Sequence, residues 1–248
     1  MLQKLKKIFK NRSTHLINDV SNHYNDFSND DREIYNIVKP YTMTSPERVK
    51  VLLDALNYVV LKNIPGDYVE CGVWKGGSSL AVSLMLEKLS KYNINLWLFD
   101  TFSGMSKPTS IDVDNKGNKA AVRLENEDKT TSWVWAYSEL DEVKSNMKIS
   151  KFPKSNVKYI KGKVEDTLLM DDIPEKISIL RLDTDWYEST KIELEILYPR
   201  LVKGGIIIID DYGHWKGSKK AVDEYLDKNN INIFLHRIDY TARLFVKP

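Results

Sequence analysis

Apolar residues recur at helical spacing between residues 46 and 62. The recurring positions are Val49, Leu52, Leu53, Leu56, Val59 and Val60. Steps of three and four residues place these side chains on one face of an α-helix, so we predict a helix over 46–62. Ser45 and Pro46 suit the cap and the first turn of this helix, and Pro65 and Gly66 mark a break beyond its end.

Beyond residue 66, short apolar runs alternate with segments of helical spacing. The predicted strands are 67–71, 95–99, 157–160, 177–182 and 206–209, and the predicted helices are 78–90 and 189–198. Strands made of continuous apolar runs are typical of a sheet that helices cover on both faces. The alternation therefore predicts an α/β fold with a doubly wound, mostly parallel sheet. The tail 231–246 predicts two more strands around 239–241, in an antiparallel hairpin at the sheet edge.

The N-terminal region does not follow this alternation. Residues 1–40 are polar, with clusters of Asn, Asp and Ser, and indicate helical pieces joined by loops. We therefore expect a helical extension, or cap, over 1–62 and one α/β domain over 63–248. Basic and apolar residues alternate at helical spacing in 2–12. This segment is typical of a helix that docks on the protein, or of one that lies on an anionic membrane surface.

A second exception is the segment 103–137. It contains Pro108, Gly117 and many Asn, Asp and Lys residues, and it ends with Trp133, Trp135 and Tyr137. A loop of this length inside a compact domain is usually functional or disordered. The aromatic residues at its end favour a lid.

Composition narrows the class of protein. Lysine and arginine total 37 against 35 acidic residues, so the chain lacks the basic excess of a nucleic-acid-binding protein. The single cysteine, Cys71, excludes an internal disulfide and favours a reducing compartment. The sequence shows neither an apolar run of the roughly 18 residues that a membrane span needs nor a secretory signal. We expect a cytoplasmic protein.

A glycine-rich turn follows the first predicted strand. Residues 69–79 place Glu70 before Gly72 and continue through Gly76 and Gly77 to Ser78, where a helix is predicted to begin. Glycines at such a turn let the backbone approach a ligand closely. A carboxylate ahead of them would repel a pyrophosphate, but it suits a cationic amino-acid ligand such as S-adenosylmethionine. A tight turn without a ligand is the alternative.

Acidic residues follow the second and third strands. Asp100 ends the second strand, where a carboxylate can accept hydrogen bonds from both ribose hydroxyls of a nucleoside. Asp166 follows the third strand, where we expect it to meet the adenine edge. Both positions indicate a nucleoside ligand but do not identify its type, and a surface acid that caps a turn is the alternative for Asp100.

A larger acidic set follows the fourth and fifth strands. Asp183 and Asp185 come at the end of the fourth strand, and Asp210 and Asp211 end the fifth. If these strands are neighbours about 4.8 Å apart, their carboxyl ends bring at least three carboxylates together. Carboxylates this close repel one another unless a cation binds among them. Oxygen ligands in an open site suit Mg²⁺. His214 lies three residues after Asp211 and is a candidate base or substrate contact. Cys71 has no evident base partner.

These motifs resemble those of the macrocin O-methyltransferase family. The matching segments are 41–43, 70–77, 100–104, 165–168, 180–187, 204–205 and 210–215. The specific part is the pair Leu-Asp-Thr-Asp at 182–185 and Asp-Asp-Tyr-Gly at 210–213. The resemblance covers about residues 40–248 and leaves out the basic N-terminal segment.

The resemblance implies a class I methyltransferase, with a Rossmann-like, doubly wound sheet of seven strands. Family members are Mg²⁺-dependent enzymes that methylate sugar hydroxyls in antibiotic biosynthesis, and they are commonly oligomeric. The implied ligands of Mg²⁺ (or Mn²⁺) are Asp183, Asp210 and Asp211. The implied contacts of S-adenosylmethionine are Tyr41, Thr42, Met43, Glu70, Gly72, Ser78, Asp100, Thr101, Ser103, Glu165, Asp166 and Asp183.

We therefore predict an S-adenosylmethionine-dependent O-methyltransferase that acts on a sugar, a glycosylated compound or a nucleotide sugar. In this hypothesis Asp183 and Asp185 are catalytic, with Asp185 as the base, and His214 is the rival base. The Asp-Thr-Asp of 183–185 also suits a metal-dependent glycosyltransferase, and a non-catalytic nucleoside-binding module is the remaining alternative. The glycine spacing argues against a nicotinamide-dependent dehydrogenase.

Overall fold

The computed structural model describes residues 24–248. The basic segment 2–12, with its predicted docking or membrane contact, therefore lies outside the described residues. Within residues 24–248, no helix combines the length and the apolar character that crossing a membrane requires.

The helices lie where the apolar spacing predicts them and at several further places. They are α1 (Asn29–Val38), α2 (Pro46–Leu61), α3 (Gly77–Lys88), α4 (Ala120–Asn126), α5 (Leu140–Met147), α6 (Val164–Thr167), α7 (Tyr187–Leu197) and α8 (Lys216–Lys228). Ser45 caps α2, since its hydroxyl accepts a hydrogen bond from the backbone amide of Arg48 at 3.3 Å. Pro46 occupies the first turn, as the sequence predicts.

Within the described residues 24–248, the strands form one sheet of seven. They are β1 (Asp67–Cys71), β2 (Leu96–Asp100), β3 (Val157–Lys161), β4 (Ile177–Leu182), β5 (Leu201–Ile209), β6 (His236–Arg237) and β7 (Arg243–Val246). Their order across the sheet is β3-β2-β1-β4-β5-β7-β6. The first five strands pair in parallel, and β7 runs antiparallel to both β5 and β6. This arrangement confirms the doubly wound, Rossmann-like sheet.

Alternate strand residues enter two separate hydrophobic layers. Tyr68 and Ile179 pack with α2 and α3 on one face of the sheet, whereas the next residues, Val69 and Leu180, pack with α7 and α8 on the other. All six residues of β4 are buried. A strand with both faces covered has no polar side to present, which explains the uninterrupted apolar runs.

The structure corrects the predicted elements in three respects. Strand β5 begins at Leu201, five residues before the predicted start, because a register irregularity near Gly204 and Gly205 lets the strand continue pairing with β4. The C-terminal hairpin is antiparallel as predicted, but its first strand is the short β6. Helices α5 and α8 were not predicted, although α8 buries Ala221 and Val222.

The predicted lid, 103–137, is folded rather than extended. It contains α4 and a 3₁₀ turn at Trp133–Trp135, and its apolar residues Ala120, Leu124 and Val134 pack against Trp186 and Trp215. The carboxylate of buried Asp112 accepts hydrogen bonds from the backbone amides of Tyr187 (2.8 Å) and Thr109 (2.6 Å). The bond to Tyr187 ties the segment to the start of α7.

Candidate active site

A cavity of about 490 Å³ opens at the carboxyl edge of the sheet. Its walls come from the ends of β1, β2, β4 and β5, from residues 41–44, from the lid segment and from the turn between β6 and β7. This edge is where open α/β sheets bind their ligands. The volume lies within the range of small-molecule sites, about 300–1,000 Å³.

The glycine turn is fixed between two neighbouring strands. The Gly72 amide donates to the Phe99 carbonyl at 2.9 Å, and the Asp183 amide donates to the Cys71 carbonyl at 2.8 Å. Gly72 has a φ of +84°, and a Cβ there would lie 1.9 Å from the Asp183 carbonyl oxygen. A side chain at this position is therefore excluded, and the end of β1 approaches the end of β4 closely.

Residues 41–43 lie directly over the start of α3. A Cβ at Gly77 would stand 2.5 Å from the carbonyl oxygen of Tyr41, so only glycine permits this contact. Tyr41, Thr42 and Met43 all line the cavity. The segment therefore lies where it could cover a ligand in the cavity, and its predicted contact with S-adenosylmethionine stays a prediction.

Asp100 connects the end of β2 to the glycine turn. One carboxylate oxygen accepts from the backbone amides of Val73 (2.7 Å) and Trp74 (3.1 Å), and the other accepts from the Phe102 amide at 2.7 Å. Burial raises the pKa of Asp100, and the three amide hydrogen bonds oppose that rise. Asp100 also lines the cavity, as do Thr101, Ser78 and Glu165.

Glu70 has a different setting from the one expected. Its side chain is buried, receives a hydrogen bond from Ser79, and pairs with Arg181 Nη1 at 2.8 Å. Burial raises the pKa of Glu70, and the Arg181 guanidinium opposes that rise. Glu70 lines the cavity, but its charge is already matched.

Three carboxylates converge at the ends of β4 and β5. Asp183, Asp185 and Asp211 each present an oxygen within 4.8 Å of the others, a spacing that could hold a metal ion. Asp185 has a φ of +69°, in the left-handed region that non-glycine residues rarely adopt. Such backbone strain is concentrated at functional sites, where it aims a side chain that a relaxed turn would point elsewhere.

Asp210 is one of the three predicted metal ligands, but it does not belong to the cluster of Asp183, Asp185 and Asp211. One of its oxygens accepts from Arg181 Nη2 at 2.8 Å, and the other pairs with Arg48. Arg181 also reaches Asp183 at 2.7 Å, and Arg48 reaches Asp239 at 2.7 Å. The structure therefore brings Asp185 into the convergent cluster and places Asp210 between two guanidinium groups.

Negative charge exceeds positive charge in this region. Burial, reinforced by the neighbouring carboxylates, raises the pKa of Asp185 to about 7 and raises the pKa of Asp183 and Asp211. Asp211 is buried and Asp183 and Asp185 are half-buried. Carboxylates this close cannot all be ionised without a proton or a cation among them.

Two predicted cofactor contacts do not line the cavity. Asp166 belongs to α6 and is exposed, whereas its neighbour Glu165 faces the cavity. Ser103 is exposed at the turn after β2, where its amide donates to the Thr101 hydroxyl at 3.1 Å. Motif matching assigned whole segments, and the local turn directs these two side chains outward.

His214 lies beside the cluster in an aromatic setting. Its ring centroid is 4.9 Å from Trp215, 5.9 Å from Trp133 and 6.3 Å from Tyr240. Within residues 24–248 neither ring nitrogen has a hydrogen-bond partner, and both are covered. Burial lowers the pKa of His214. The ring therefore favours the neutral form.

Sequence reasoning missed the two arginines that organise these acids. Arg181 is buried in β4 as its one charged residue, and a lone charge in a mostly apolar run is the signal that could have found it. Arg48 belongs to the predicted helix α2, where nothing distinguishes it from other surface arginines. Its contact with Asp210, 162 residues away, depends on the tertiary fold.

A family model described as Macrocin-O-methyltransferase (TylF) matches residues 3–247. The match begins well before residue 40, so the N-terminal segment belongs to the matched region, contrary to the expectation from the motifs.

Individual proteins are similar over most of the chain. Demethyldecarbamoylnovobiocin O-methyltransferase of Streptomyces niveus is 34% identical over 203 residues, which cover 80% of this chain and 72% of that protein. The 8-demethyl-8-(2,3-dimethoxy-alpha-L-rhamnosyl)-tetracenomycin-C 4'-O-methyltransferase of Streptomyces olivaceus is 31% identical, covering 82% of this chain and 74% of that protein. The solved structure of the O-methyltransferase NovP superposes with a TM-score of 0.72 at 30% identity, over 84% of this chain and 82% of NovP.

Proposed function

The chain belongs to the macrocin O-methyltransferase family and is a methyltransferase, and from this premise we propose its substrates and its metal. The proposed reaction transfers a methyl group from S-adenosylmethionine to a hydroxyl of a sugar-containing small molecule, with Mg²⁺ or Mn²⁺ bound at the acidic edge. Family membership argues against the glycosyltransferase and the non-catalytic module that the sequence alone left open.

The excess of carboxylates carries the metal proposal. Glu70, Asp183, Asp185, Asp210 and Asp211 line one cavity with the guanidinium groups of Arg48 and Arg181. Five acids against two bases leave uncompensated negative charge. Hard oxygen donors with an open side suit Mg²⁺, which retains part of its hydration when bound.

Asp183 and Asp211 are common to the predicted ligand set and to the convergent cluster, so we propose that they hold the metal. Asp210 remains the proposed third ligand, because a carboxylate has about four lone-pair positions and its two arginine contacts leave some of them free. Asp185, whose backbone is strained, is then free to face the acceptor. A bound divalent cation would lower the pKa of an acceptor hydroxyl.

The chain's own residues would bind S-adenosylmethionine on the other side of these acids. The proposed contacts are the cavity residues of the glycine turn, Asp100 with Thr101, Glu165, and the cover formed by 41–43. Gly72 and Gly77 leave no room for side chains of their own, so the turn presents backbone to a ligand. Asp183, next to Gly72, places a negative charge where a cationic ligand would lie.

Asp185 is the proposed base. The acceptor oxygen would attack the methyl carbon, a carbon–oxygen bond would form as the carbon–sulfur bond breaks, and the hydroxyl proton would pass to Asp185. A base needs to reach that proton directly or through one water, and Asp185 lies in the cluster beside the cavity. His214 is less suited, since both of its ring nitrogens are covered and, within residues 24–248, neither has a hydrogen-bond partner.

The sugar acceptor is supported by the relatives. The name of the Streptomyces olivaceus enzyme specifies a rhamnosyl group that already carries methoxy groups, and its activity is a 4'-O-methylation. A hydroxyl on a sugar ring has a pKa far above neutrality, so a metal and a carboxylate base suit its deprotonation.

Label transfer from S-adenosylmethionine tests the proposal. The protein is incubated with methyl-labelled S-adenosylmethionine, Mg²⁺ and either methyl α-L-rhamnopyranoside or TDP-rhamnose. We expect labelled sugar that disappears with excess chelator and returns with added Mg²⁺. Full turnover in excess chelator would contradict the metal, and methylation of catechol but of neither sugar would contradict the acceptor class.

A homo-oligomer and a cytoplasmic location remain predictions. Sedimentation of the purified full chain tests the first, and a single species at the mass of one chain, 28.8 kDa, would contradict it.

A further inference from the structure

Three rings from three different elements form one wall of the cavity. Trp133 comes from the 3₁₀ turn of the lid, His214 from the loop after β5, and Tyr240 from the turn between β6 and β7. His214 lies between the other two, 5.9 Å from Trp133 and 6.3 Å from Tyr240. These three residues are called the aromatic wall below.

The outer rings of the aromatic wall are unusually open. Trp133 is 51% exposed and Tyr240 is 56% exposed. A single exposed aromatic is ordinary, but two that border the same cavity form an apolar surface of the kind that marks a binding site.

The lid holds Trp133 in place. The Arg123 guanidinium lies 4.5 Å from the centre of the Trp133 ring and is itself paired with Glu127 at 2.7 Å. Ser132 caps the turn by accepting from the Val134 amide at 3.1 Å, and its hydroxyl also bonds Glu127. The ring is thus positioned before any ligand arrives, which lowers the entropic cost of binding.

Tyr240 is positioned by the acidic edge itself. The Thr241 hydroxyl donates to the Asp210 carbonyl at 2.7 Å, and the Gly213 amide donates to the Thr241 carbonyl at 2.8 Å. Asp239 accepts from the amides of Thr241 and Ala242 and pairs with Arg48. The turn that carries Tyr240 is therefore fastened to the loop that carries the proposed metal ligands.

Sheet order separates this wall from the cofactor side. The glycine turn and Asp100 lie at the ends of β1 and β2, whereas the wall lies at β5 and the hairpin, with β4 between β1 and β5. Two strand spacings of about 4.8 Å each therefore divide the two sides. The acids at the ends of β4 and β5 lie between them, which is where the reacting hydroxyl belongs.

The chemistry of the wall matches a sugar ring better than a flat aromatic ring. A pyranose offers a C–H face that packs on Trp or Tyr and hydroxyls around its rim. Trp133 and Tyr240 are exposed and line the cavity, so they are available to such a C–H face.

We propose that the aromatic wall is the acceptor subsite, in which a sugar ring packs against Trp133 and Tyr240 and points its hydroxyl at Asp185. This inference rests on the proposed methyltransferase function and adds the residues that select the acceptor. His214 then holds its place in the wall by ring contacts and does not bond the sugar.

Calorimetry on the full chain with Mg²⁺ tests the subsite. S-adenosylhomocysteine is titrated first, and then methyl α-L-rhamnopyranoside or TDP-rhamnose is titrated into the saturated protein. We expect Trp133→Ala and Tyr240→Ala each to raise the Kd of the sugar about tenfold, whereas Trp133→Phe restores most of the affinity. Phe234→Ala is the matched control, because Phe234 is 83% exposed and lies outside the cavity lining.

The first titration separates the two claims. The Kd of S-adenosylhomocysteine should be the same in all of these variants, and a wild-type protein that fails to bind it would contradict the proposed function. If it binds but neither sugar binds, or if the sugar Kd is unchanged in Trp133→Ala and Tyr240→Ala, the acceptor subsite is wrong. Catechol binding that depends on Trp133 while the sugars do not bind would overturn it in favour of a planar acceptor.

Discussion

The two sides of the cavity are built in different ways. On the cofactor side, three backbone amides satisfy Asp100, and Gly72 and Gly77 fit against neighbouring backbone with no space to spare. On the acceptor side, Trp133 and Tyr240 are more than half exposed, and loops carry the side chains. The backbone therefore sets the shape of the cofactor side, whereas exposed side chains form the surface of the acceptor side.

The difference follows from what each side must recognise. A ligand shared by many relatives can be bound by turns whose geometry the sheet fixes, and small changes there are costly. An acceptor that varies is better bound by side chains on loops, which can change without disturbing strand pairing. The acids at the ends of β4 and β5 lie between the cofactor side and the acceptor side. Substitutions of these acids should therefore have the largest effects on activity.

The largest expected effect is that of Asp185→Asn, at the boundary between the two sides. Removing the base should lower kcat by about 10²–10⁴ while the Kd of S-adenosylhomocysteine stays constant. His214→Gln, its neighbour on the acceptor side, should cost less in kcat. Steady-state kinetics with titrated Mg²⁺ check this, and a metal requirement that rises as much as in Asp183→Asn would make Asp185 a ligand instead.

A second substitution tests whether the buried guanidinium of Arg181 stabilises the acids that surround it. Arg181→Met should lower the free energy of unfolding by about 3–5 kcal/mol, since it leaves Glu70, Asp183 and Asp210 without their shared partner. Lys88→Met is the matched control, because Lys88 also pairs with two acids, Asp30 and Glu33, but at the surface. Its cost should be about 1 kcal/mol or less in urea unfolding. Equal costs would mean that the buried network does not stabilise the edge.

The third prediction addresses the cofactor side alone. Asp100→Ala removes hydrogen bonds to a charged group, worth about 1.5–3 kcal/mol, and should raise the Kd of S-adenosylhomocysteine accordingly. Asp166→Ala, an exposed acid outside the cavity lining, should leave that Kd unchanged. If calorimetry shows a raised Kd in Asp166→Ala and an unchanged Kd in Asp100→Ala, the nucleoside contact is Asp166 and not Asp100.

The smallest effect is expected from the anchor of the lid. Asp112→Ala releases the bonds to Tyr187 and Thr109, so the segment that carries Trp133 should be held less firmly. The KM of the acceptor should rise about three- to tenfold, because the bond to Tyr187, worth about 1 kcal/mol, is the one that joins the lid to α7, and the KM of S-adenosylmethionine should be unchanged. Asp128→Ala is the control, because Asp128 bonds Thr130 and Thr131 in its own turn. Equal increases for both substrates would make the segment structural rather than a lid.

The same division explains how far the sequence could be interpreted. Gly72, Gly77 and Asp100 are found from local patterns, because the turn chemistry depends on residues close in sequence. The acids at 183–185 and 210–211 follow from strand ends and parallel pairing, and the structure brings three of the four into one cluster.

Contacts that join distant segments could not be inferred in this way. Arg48 meets Asp210 and Asp239 across 162 and 191 residues, and Tyr240 meets His214 through the hairpin register. The orientation of Asp185 depends on one left-handed backbone torsion. No periodicity encodes that torsion. The folded state of the lid likewise depends on Trp186 and Trp215, which lie outside it.

Binding of Mn²⁺ to the full chain tests the central claim most directly, because the two sides meet at the acids. Mn²⁺ is titrated into the protein saturated with S-adenosylhomocysteine, and the loss of the free-ion electron paramagnetic resonance signal is followed. The account predicts saturable binding at one site, abolished in Asp211→Asn and retained in Asp239→Asn, an acid of the neighbouring turn. Absence of saturable binding, or binding unchanged in Asp211→Asn, would contradict it.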